Sequence, residues 1–250
     1  MADLGCGTGG TLAQAAPAVP GGLVAGLDLS AGALARTAEA VAEVVAGLDR
    51  PPRALLVQAD LKDPLPLATA GFDRVLCHNV LEVLPDHDAL VAEAVRVLRP
   101  GGRLVLAHSD FDTLIFASED LELTRRLVRD YCDTEQSWMD SVDGTIGRRL
   151  ADIAGRAGLV VEDVQAAVVL GRRFVPGEIG WGYARNLADT LGATAGPPRP
   201  SWTAGWPGCS GSTTRGRSCS VSTTTPSSVV ECPGDALHAT GATVRRPTSR

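Results

Sequence analysis

Short apolar runs alternate with segments of helical periodicity along the first two thirds of the chain. Apolar runs predict strands at residues 23–27, 54–57, 72–77 and 103–107, and helical spacing predicts helices at 30–47 and 88–98. Ser30 is the predicted N-cap of the first of these helices. Because the strands are apolar on both faces and are separated by helices, we predict an α/β fold with a doubly wound, mostly parallel sheet.

The periodicity stays helical after the strand at 103–107, which is the fifth when a short first strand before residue 5 is counted. It predicts helices at 118–140, 145–157 and 176–191, and a sixth strand at 159–169. The first two helices predict an inserted helical cover for the substrate, at about residues 114–157. Four aromatic side chains in this region are expected to pack in the core or to roof a ligand pocket: Tyr131, Trp138, Trp181 and Tyr183.

The composition changes at about residue 196, which ends the predicted domain of residues 1–195. Ser, Thr, Pro, Arg, Gly and Cys dominate residues 196–250, and residues 210–228 predict neither helix nor strand. One interpretation is a disordered tail. The other is translation out of frame, since back-translating residues 217–228 with GC-rich codons and shifting the frame produces a strand-like apolar peptide.

Charge and composition limit the classes of partner. The net charge is −6 and no run of basic residues occurs before the last few positions, so we expect no nucleic-acid partner. There is no 18-residue apolar run and no signal-peptide pattern, which predicts a cytoplasmic protein without a membrane partner. No CxxC pair occurs, so we expect no metal site, and Cys6, Cys77 and Cys132 are expected to be buried free thiols.

The segment from Asp3 to Gly10 carries the most specific chemical signal. Glycines at Gly5, Gly7 and Gly9 remove side chains where the backbone must approach a ligand, and the following helix start favours a carboxylate or phosphate. Gly5, Gly7 and Gly10 also satisfy the dinucleotide-binding pattern, so an NAD site is an alternative. The turn therefore predicts a nucleoside cofactor.

Two further acids follow predicted strands. Asp28 lies 18 residues after Gly10, where a carboxylate can accept both hydroxyls of a ribose. Asp60 is placed to accept from an adenine amine, with Leu29 and Leu61 packing on the ring. The alternative for each acid is a solvated carboxylate at a strand end.

Four ordered motifs within residues 2–110 resemble the class I S-adenosylmethionine-dependent methyltransferases, in the ubiquinone/menaquinone-type branch. They are Asp-Leu-Gly-Cys-Gly-Thr-Gly from Asp3, Gly-Leu-Asp-Leu-Ser from Gly26, Phe-Asp-Arg-Val-Leu-Cys-His-Asn-Val-Leu-Glu from Phe72, and Val-Leu-Arg-Pro-Gly-Gly-Arg-Leu from Val97. The resemblance implies that Asp3, Gly5, Cys6, Gly7 and Gly9 hold the methionine moiety. It also implies that Asp28 binds the ribose, that Asp60 binds the adenine, and that His78 and Asn79 line the cofactor near its methyl group. Nothing after the fourth strand supports a nicotinamide site.

The implied reaction is attack by a small-molecule N, O or C nucleophile on the sulfonium methyl. The protein aligns the reactants and supplies a base where the acceptor is protonated. His108 and Asp110, just beyond the fifth strand, are the candidate catalytic residues, with Asp112 beside them. His78 and His87 are secondary candidates.

The chain departs from the family pattern at both ends. Met1 and Ala2 alone precede Asp3, so we expect a first strand cut short, no helical segment ahead of it, and weak binding of S-adenosylmethionine. The tail replaces the family's last strand. The alternative function is a non-catalytic remnant of a methyltransferase.

Overall fold

Ten strands and six helices make up the part of the chain that the computed structural model describes, residues 1–136, 139–171, 173–194, 221–224 and 240–248. The strands are β1 Ala2–Leu4, β2 Leu23–Asp28, β3 Arg53–Gln58, β4 Phe72–His78, β5 Leu98–His108, β6 Leu114–Phe116, β7 Val160–Gln165, β8 Val168–Gly171, β9 Val221–Thr224 and β10 Thr240–Arg245. The helices are α1 Gly10–Ala15, α2 Ala31–Val45, α3 His87–Val97, α4 Leu121–Cys132, α5 Leu150–Arg156 and α6 Ile179–Thr194.

Seven strands form the main sheet, in the order β3-β2-β1-β4-β5-β10-β7. β1, β2, β3, β4 and β5 pair in parallel, and β10 lies antiparallel between β5 and β7. This arrangement confirms the predicted α/β fold with a mostly parallel sheet. β1 has three residues and lies fully buried at the centre, paired on both sides.

Helices cover both faces of this sheet. α1 and α2 pack against Val24 on one face, in a cluster with Leu12 and Val41. α3 and α5 contribute to a larger apolar cluster that includes Leu27, Val75 and Leu104. Ser30 caps α2 as predicted, accepting a hydrogen bond of 3.2 Å from the Ala33 N–H. Because these strands are parallel, the carboxyl ends of β1, β2, β4 and β5 lie along one edge of the sheet.

The end of the chain completes the sheet, which corrects the prediction that residues 196–250 lie outside the domain. β10 pairs with β5 from Thr240 to Arg245, and its Ala242 and Val244 side chains are buried. β9 also forms where no element was predicted, between β6 and β8. Apart from Val221–Thr224, the segment on which the frameshift interpretation depends lies outside the described residues, and that interpretation stays a prediction.

The helices that lie beyond the main sheet differ from the predicted insertion of residues 114–157. α5 packs on the main sheet, with Leu150 and Ile153 in its core, whereas α6 packs against α4. The predicted sixth strand at 159–169 divides into β7, in the main sheet, and β8, in a second sheet of order β6-β9-β8. We call α4, α6 and this second sheet the cover; its apolar core includes Phe116, Leu127 and Leu187.

Replacement of Val244 by Asp is expected to destabilise the fold by at least about 3 kcal/mol, because it buries an unpaired carboxylate at a side chain with 0% exposure. Urea denaturation followed by circular dichroism measures the change. Thr248→Asp, at an exposed position of the same segment, is the control and is expected to have little effect. Equal stability of Val244→Asp and the wild type would show that β10 does not belong to the core.

No helix in the described part of the chain is long and apolar enough to span a membrane.

Candidate functional site

The glycine turn between β1 and α1 adopts backbone conformations that suit glycine alone. Gly5, Gly7 and Gly9 have φ values of +74°, +53° and +88°. A Cβ on Gly5 would lie 2.3 Å from Val80 Cγ2, and one on Gly9 would lie 2.8 Å from Thr37 Cα. A Cβ on Gly7 would meet nothing within 4 Å. The turn is therefore packed against the protein at its two ends and open at its centre.

Asp28 holds the centre of this turn. Its Oδ2 accepts a hydrogen bond of 2.8 Å from the Gly7 N–H, and its Oδ1 accepts one of 2.9 Å from the Ser30 N–H. Thr37, which the sequence analysis missed, donates to the Gly7 carbonyl at 2.9 Å and contacts Cys6 Sγ at 3.9 Å. Each carboxylate oxygen of Asp28 keeps a lone pair for a further donor. The ribose-binding role of Asp28 stays a prediction, and the structure adds a second role in shaping the turn.

Asp3, directly before the turn, is a buried acid rather than a surface ligand. Its exposure is 1%, and Oδ2 has no hydrogen-bond partner among the described residues. Burial, together with the negative charge of Asp28, raises the pKa of Asp3 to about 7. Asp3 can act on a cofactor through its charge, and its predicted role as a cofactor-binding residue is untested.

The residues predicted to hold adenine lie beside the ends of β2 and β3. Leu29 is 62% exposed, and Gln58 Nε2 fixes its backbone by donating to its carbonyl at 3.0 Å. Leu61 packs at the border of the main core. Asp60 Oδ1 accepts from the Lys62 N–H at 3.0 Å and remains partly exposed. An exposed leucine next to a carboxylate fits an adenine ring with its amine, and this role also stays a prediction.

The end of β4 is tied to the end of β5. His78 Nδ1 lies 3.3 Å from Thr11 Oγ1, while its Nε2 is buried without a hydrogen-bond partner among the described residues. Burial, and next the nearby His108, lower the pKa of His78, so it is neutral at pH 7. Asn79, at φ +51°, accepts a hydrogen bond of 2.7 Å from the Ser109 N–H through Oδ1. The two residues predicted to line the cofactor therefore lie next to the predicted catalytic segment.

Glu82 is the functional candidate that the sequence analysis missed. It is 5% exposed, and its Oε2 lies 2.8 Å from Nε2 of His108, whose exposure is 0%. This is ion-pair distance, although the two groups are not oriented as a hydrogen bond. His108 Nδ1 has no partner among the described residues. The sequence did contain a signal for this residue. Glu82 lies within an apolar run, and an acid in such a run indicates burial; its neighbours are Val80, Leu81, Val83 and Leu84.

Asp110, the second predicted catalytic residue, has its carboxylate occupied. Arg148 Nε donates to Asp110 Oδ2 at 2.5 Å, and Arg148 NH2 donates to Asp110 Oδ1 at 3.1 Å and to Asp112 Oδ2 at 2.8 Å. The two acids raise the pKa of Arg148 above its already high ordinary value. This geometry favours a structural role for Asp110, because the two-pronged contact with Arg148 holds its carboxylate in place. The catalytic assignment of Asp110 is untested.

Phe111 packs on His108, and two tyrosines of the cover pack on Phe111. Phe111 packs edge to face on His108 with ring centroids 5.5 Å apart, and Tyr131 and Tyr183 pack on Phe111 at 5.7 Å and 6.1 Å. Tyr183 donates to Ser109 Oγ at 3.2 Å. Trp138 lies outside the described residues. Tyr131 and Tyr183 thus pack in the cover's apolar core, and their predicted role in roofing a ligand pocket stays a prediction.

Cys6, Cys77 and Cys132 are buried free thiols, as predicted. His87, a secondary candidate, contacts Asp88 on the surface through its Nδ1. No hydrogen bond among the described residues links it to His78 or His108. Within the described ranges no three His, Cys, Asp or Glu side chains are grouped so that they could hold a metal ion.

Comparison with known proteins identifies the domain. Residues 2–106 match the family described as a methyltransferase domain. An uncharacterized 37.1 kDa protein in transposon TN4556 of Streptomyces fradiae is 38% identical over 165 residues, covering 65% of this chain and 44% of that protein. The trans-aconitate 2-methyltransferase of Deinococcus radiodurans is 37% identical over 106 residues, covering 42% of this chain and 36% of that enzyme.

The chain thus spans less than half the length of these curated relatives. A solved Bacillus halodurans structure classed as a methyltransferase has the same fold, with a TM-score of 0.56 at 18% identity, covering 99% of this chain and 92% of that chain. The ubiquinone/menaquinone-type branch stays a prediction. Residues 2–106 of this chain are therefore similar to the methyltransferase-domain family, and the fold is similar to that of a solved methyltransferase.

Proposed function

We propose that the protein transfers the methyl group of S-adenosylmethionine to a small-molecule acceptor. The observation that carries this proposal is the preformed turn, in which the Asp28 carboxylate holds the Gly7 N–H at 2.8 Å while the space above Gly7 is open. Gly5, Cys6, Gly7 and Gly9 would hold the methionine moiety there, with Asp28 on the ribose and Asp60 and Leu61 on the adenine. The bound cofactor supplies a methyl group on a positively charged sulfur.

The protein's own part is alignment and exclusion of water. The carboxyl ends of β4 and β5 bring His78, Asn79 and His108 together, and the cover closes over them through the Tyr183–Ser109 hydrogen bond. Holding an acceptor in line with the methyl group converts a bimolecular step into an effectively unimolecular one. The curated relatives include enzymes named for trans-aconitate and for ubiquinone biosynthesis, which supports a small-molecule acceptor. Buried free thiols support a cytoplasmic location.

Isothermal titration calorimetry with S-adenosylmethionine tests the proposal. The sequence alone predicts weak binding, but because β1 is paired on both sides and the turn is formed, we expect saturable binding. The absence of binding would favour the alternative drawn from the sequence, a non-catalytic remnant of a methyltransferase.

Asp28→Ala is expected to weaken binding of S-adenosylmethionine by about 1–3 kcal/mol, the scale of a hydrogen bond to a charged group. Part of the loss comes from the turn, because the Gly7 and Ser30 N–H groups lose their acceptor. Asp28→Asn keeps an acceptor oxygen without the charge, and we expect a smaller loss. A dissociation constant unchanged in Asp28→Ala would rule out the ribose role.

A further inference from the structure

We propose that His108 is the general base of this methyltransferase, positioned by Glu82, and that its acceptor is an uncharged phenolic hydroxyl. The inference rests on the proposed function and extends it to a residue, an atom and a class of acceptor. Glu82 Oε2 and His108 Nε2 lie 2.8 Å apart, and their side chains are 7% and 1% exposed. They approach one another because the parallel pairing of β4 with β5 brings the ends of both strands together.

The pair fixes which nitrogen of His108 can accept a proton. A buried carboxylate is costly unless a donor or cation lies beside it, and His108 Nε2 is the atom at that distance. A proton on Nε2, the ring nitrogen beside Glu82, leaves the Nδ1 lone pair free, and Nδ1 has no partner among the described residues. Their present misalignment is typical of catalytic contacts that tighten only around substrate.

His108 lies where an acceptor must approach the cofactor. It ends β5, and the adjacent ends of β4 and β1 carry the residues placed around the cofactor. The titratable groups that face the Glu82–His108 pair come from three elements: Cys77 and His78 on β4, Tyr131 on α4, and Tyr183 on α6. The two tyrosines keep their protons because burial raises the pKa of both. Among these groups His108 is the one with a ring nitrogen 2.8 Å from a carboxylate oxygen.

The proton and electrons balance in a single displacement. The acceptor oxygen forms a bond to the methyl carbon as the carbon–sulfur bond breaks, and the electron pair of that bond stays on sulfur. The phenolic proton moves to His108 Nδ1. Glu82 then stabilises the resulting imidazolium, the role that a buried acid takes beside a catalytic histidine.

The charges of the site favour an uncharged acceptor over a carboxylate. Glu82 contributes a negative charge next to the base, and Arg148, the nearby cation on the 3₁₀ turn 146–149, is already bound by Asp110 and Asp112. A carboxylate acceptor would meet like charge with no free cation among these residues. The edge-to-face rings of Phe111, Tyr131 and Tyr183 favour an aromatic acceptor instead.

Nitrogen-15 NMR of histidine-labelled protein tests the pair without any ligand. The chain has four histidines, so His108→Gln assigns its signals. We expect His108 to carry its proton on Nε2 at neutral pH and the ring signals to shift in Glu82→Gln. A proton on Nδ1, or signals that do not respond to Glu82→Gln, would overturn the pairing.

Methyl transfer from labelled S-adenosylmethionine tests the chemistry, with catechol, resorcinol and 4-methylphenol as phenols and trans-aconitate as the carboxylate. We expect a methylated phenol and no methylated trans-aconitate. Glu82→Gln should lower kcat by about 100-fold or more without changing cofactor binding. Glu39→Gln, at an exposed position of α2, is the matched control and should be as active as the wild type. Glu82→Asp, which keeps the charge, should recover part of the rate.

The outcomes separate this inference from the proposed function. Cofactor binding without transfer to any of the three phenols, or undiminished kcat in Glu82→Gln, overturns the inference and leaves the proposed function standing. Failure of the wild type to bind S-adenosylmethionine overturns the proposed function, whereas the NMR result still decides the pairing.

Discussion

Asp3→Asn is expected to stabilise the fold by up to about 4 kcal/mol at about pH 8, although Asp3 directly precedes the glycine turn. Burial raises the pKa of Asp3 from 3.8 to about 7, with Asp28 as the second cause. Between these two values the folded state holds the proton and the unfolded state does not. Stability therefore falls as pH rises through this window and is constant above it. Asparagine does not ionise and avoids this loss.

Urea denaturation at several pH values measures the effect. The advantage of Asp3→Asn over the wild type should be small at about pH 4 and should grow until about pH 7. Asp49→Asn, which changes an exposed loop acid in the same way, should show no such growth. An advantage independent of pH would mean that Asp3 is not buried as a titrating carboxyl.

The same variant tests the predicted cofactor role of Asp3. S-adenosylmethionine carries a positive sulfonium, which favours the ionised form of a nearby acid. Binding to the wild type should therefore strengthen as pH rises through about 7, and Asp3→Asn should bind more weakly and without that dependence. Calorimetry at matched ionic strength provides the comparison.

Gly9→Ala is expected to destabilise the fold by about 2–5 kcal/mol and to abolish cofactor binding. A left-handed backbone costs an alanine about 1–2 kcal/mol, and forced overpacking adds about 1–3 kcal/mol. The second cost arises because the new Cβ would lie 2.8 Å from Thr37 Cα, a backbone atom that cannot rotate away. Urea denaturation measures the loss of stability.

Gly7→Ala is the matched comparison in the same turn. Its φ is +53° and its Cβ would meet nothing within 4 Å, so stability should fall by only about 1–2 kcal/mol. Because that Cβ points into the space assigned to the cofactor, binding should still be lost. If Gly7→Ala bound S-adenosylmethionine normally, the cofactor would have to lie elsewhere.

Local sequence patterns were sufficient to predict those features whose conformation depends on neighbouring residues in the chain. Ser30 caps α2 because its side chain and the Ala33 N–H are three residues apart, and the glycine turn follows β1 because its positive φ values favour glycine. Such features predicted the order of strands and helices through β5. The free thiols were likewise predictable, since isolated apolar cysteines have no nearby partner.

Patterns failed where a distant partner decides the structure. β10 offers only Ala242 and Val244 as buried side chains, too few to predict a strand, and it forms because β5 and β7 supply hydrogen bonds on both sides. The predicted strand at 159–169 divides for the same reason, since β7 and β8 join different sheets.

The sequence by itself indicated the resemblance to methyltransferases, the α/β class and the positions of the glycine turn and its acids, because these depend on residues close together in the chain. Only the tertiary structure decided that Glu82 lies against His108 and that Arg148 forms an ion pair with Asp110. These partners are separated by 26 and 38 residues of sequence, so they meet only after β4 and β5 have paired and the cover has folded over their ends. Burial strengthens the contact between Glu82 and His108, because little water reaches it, whereas Arg148 remains 44% exposed.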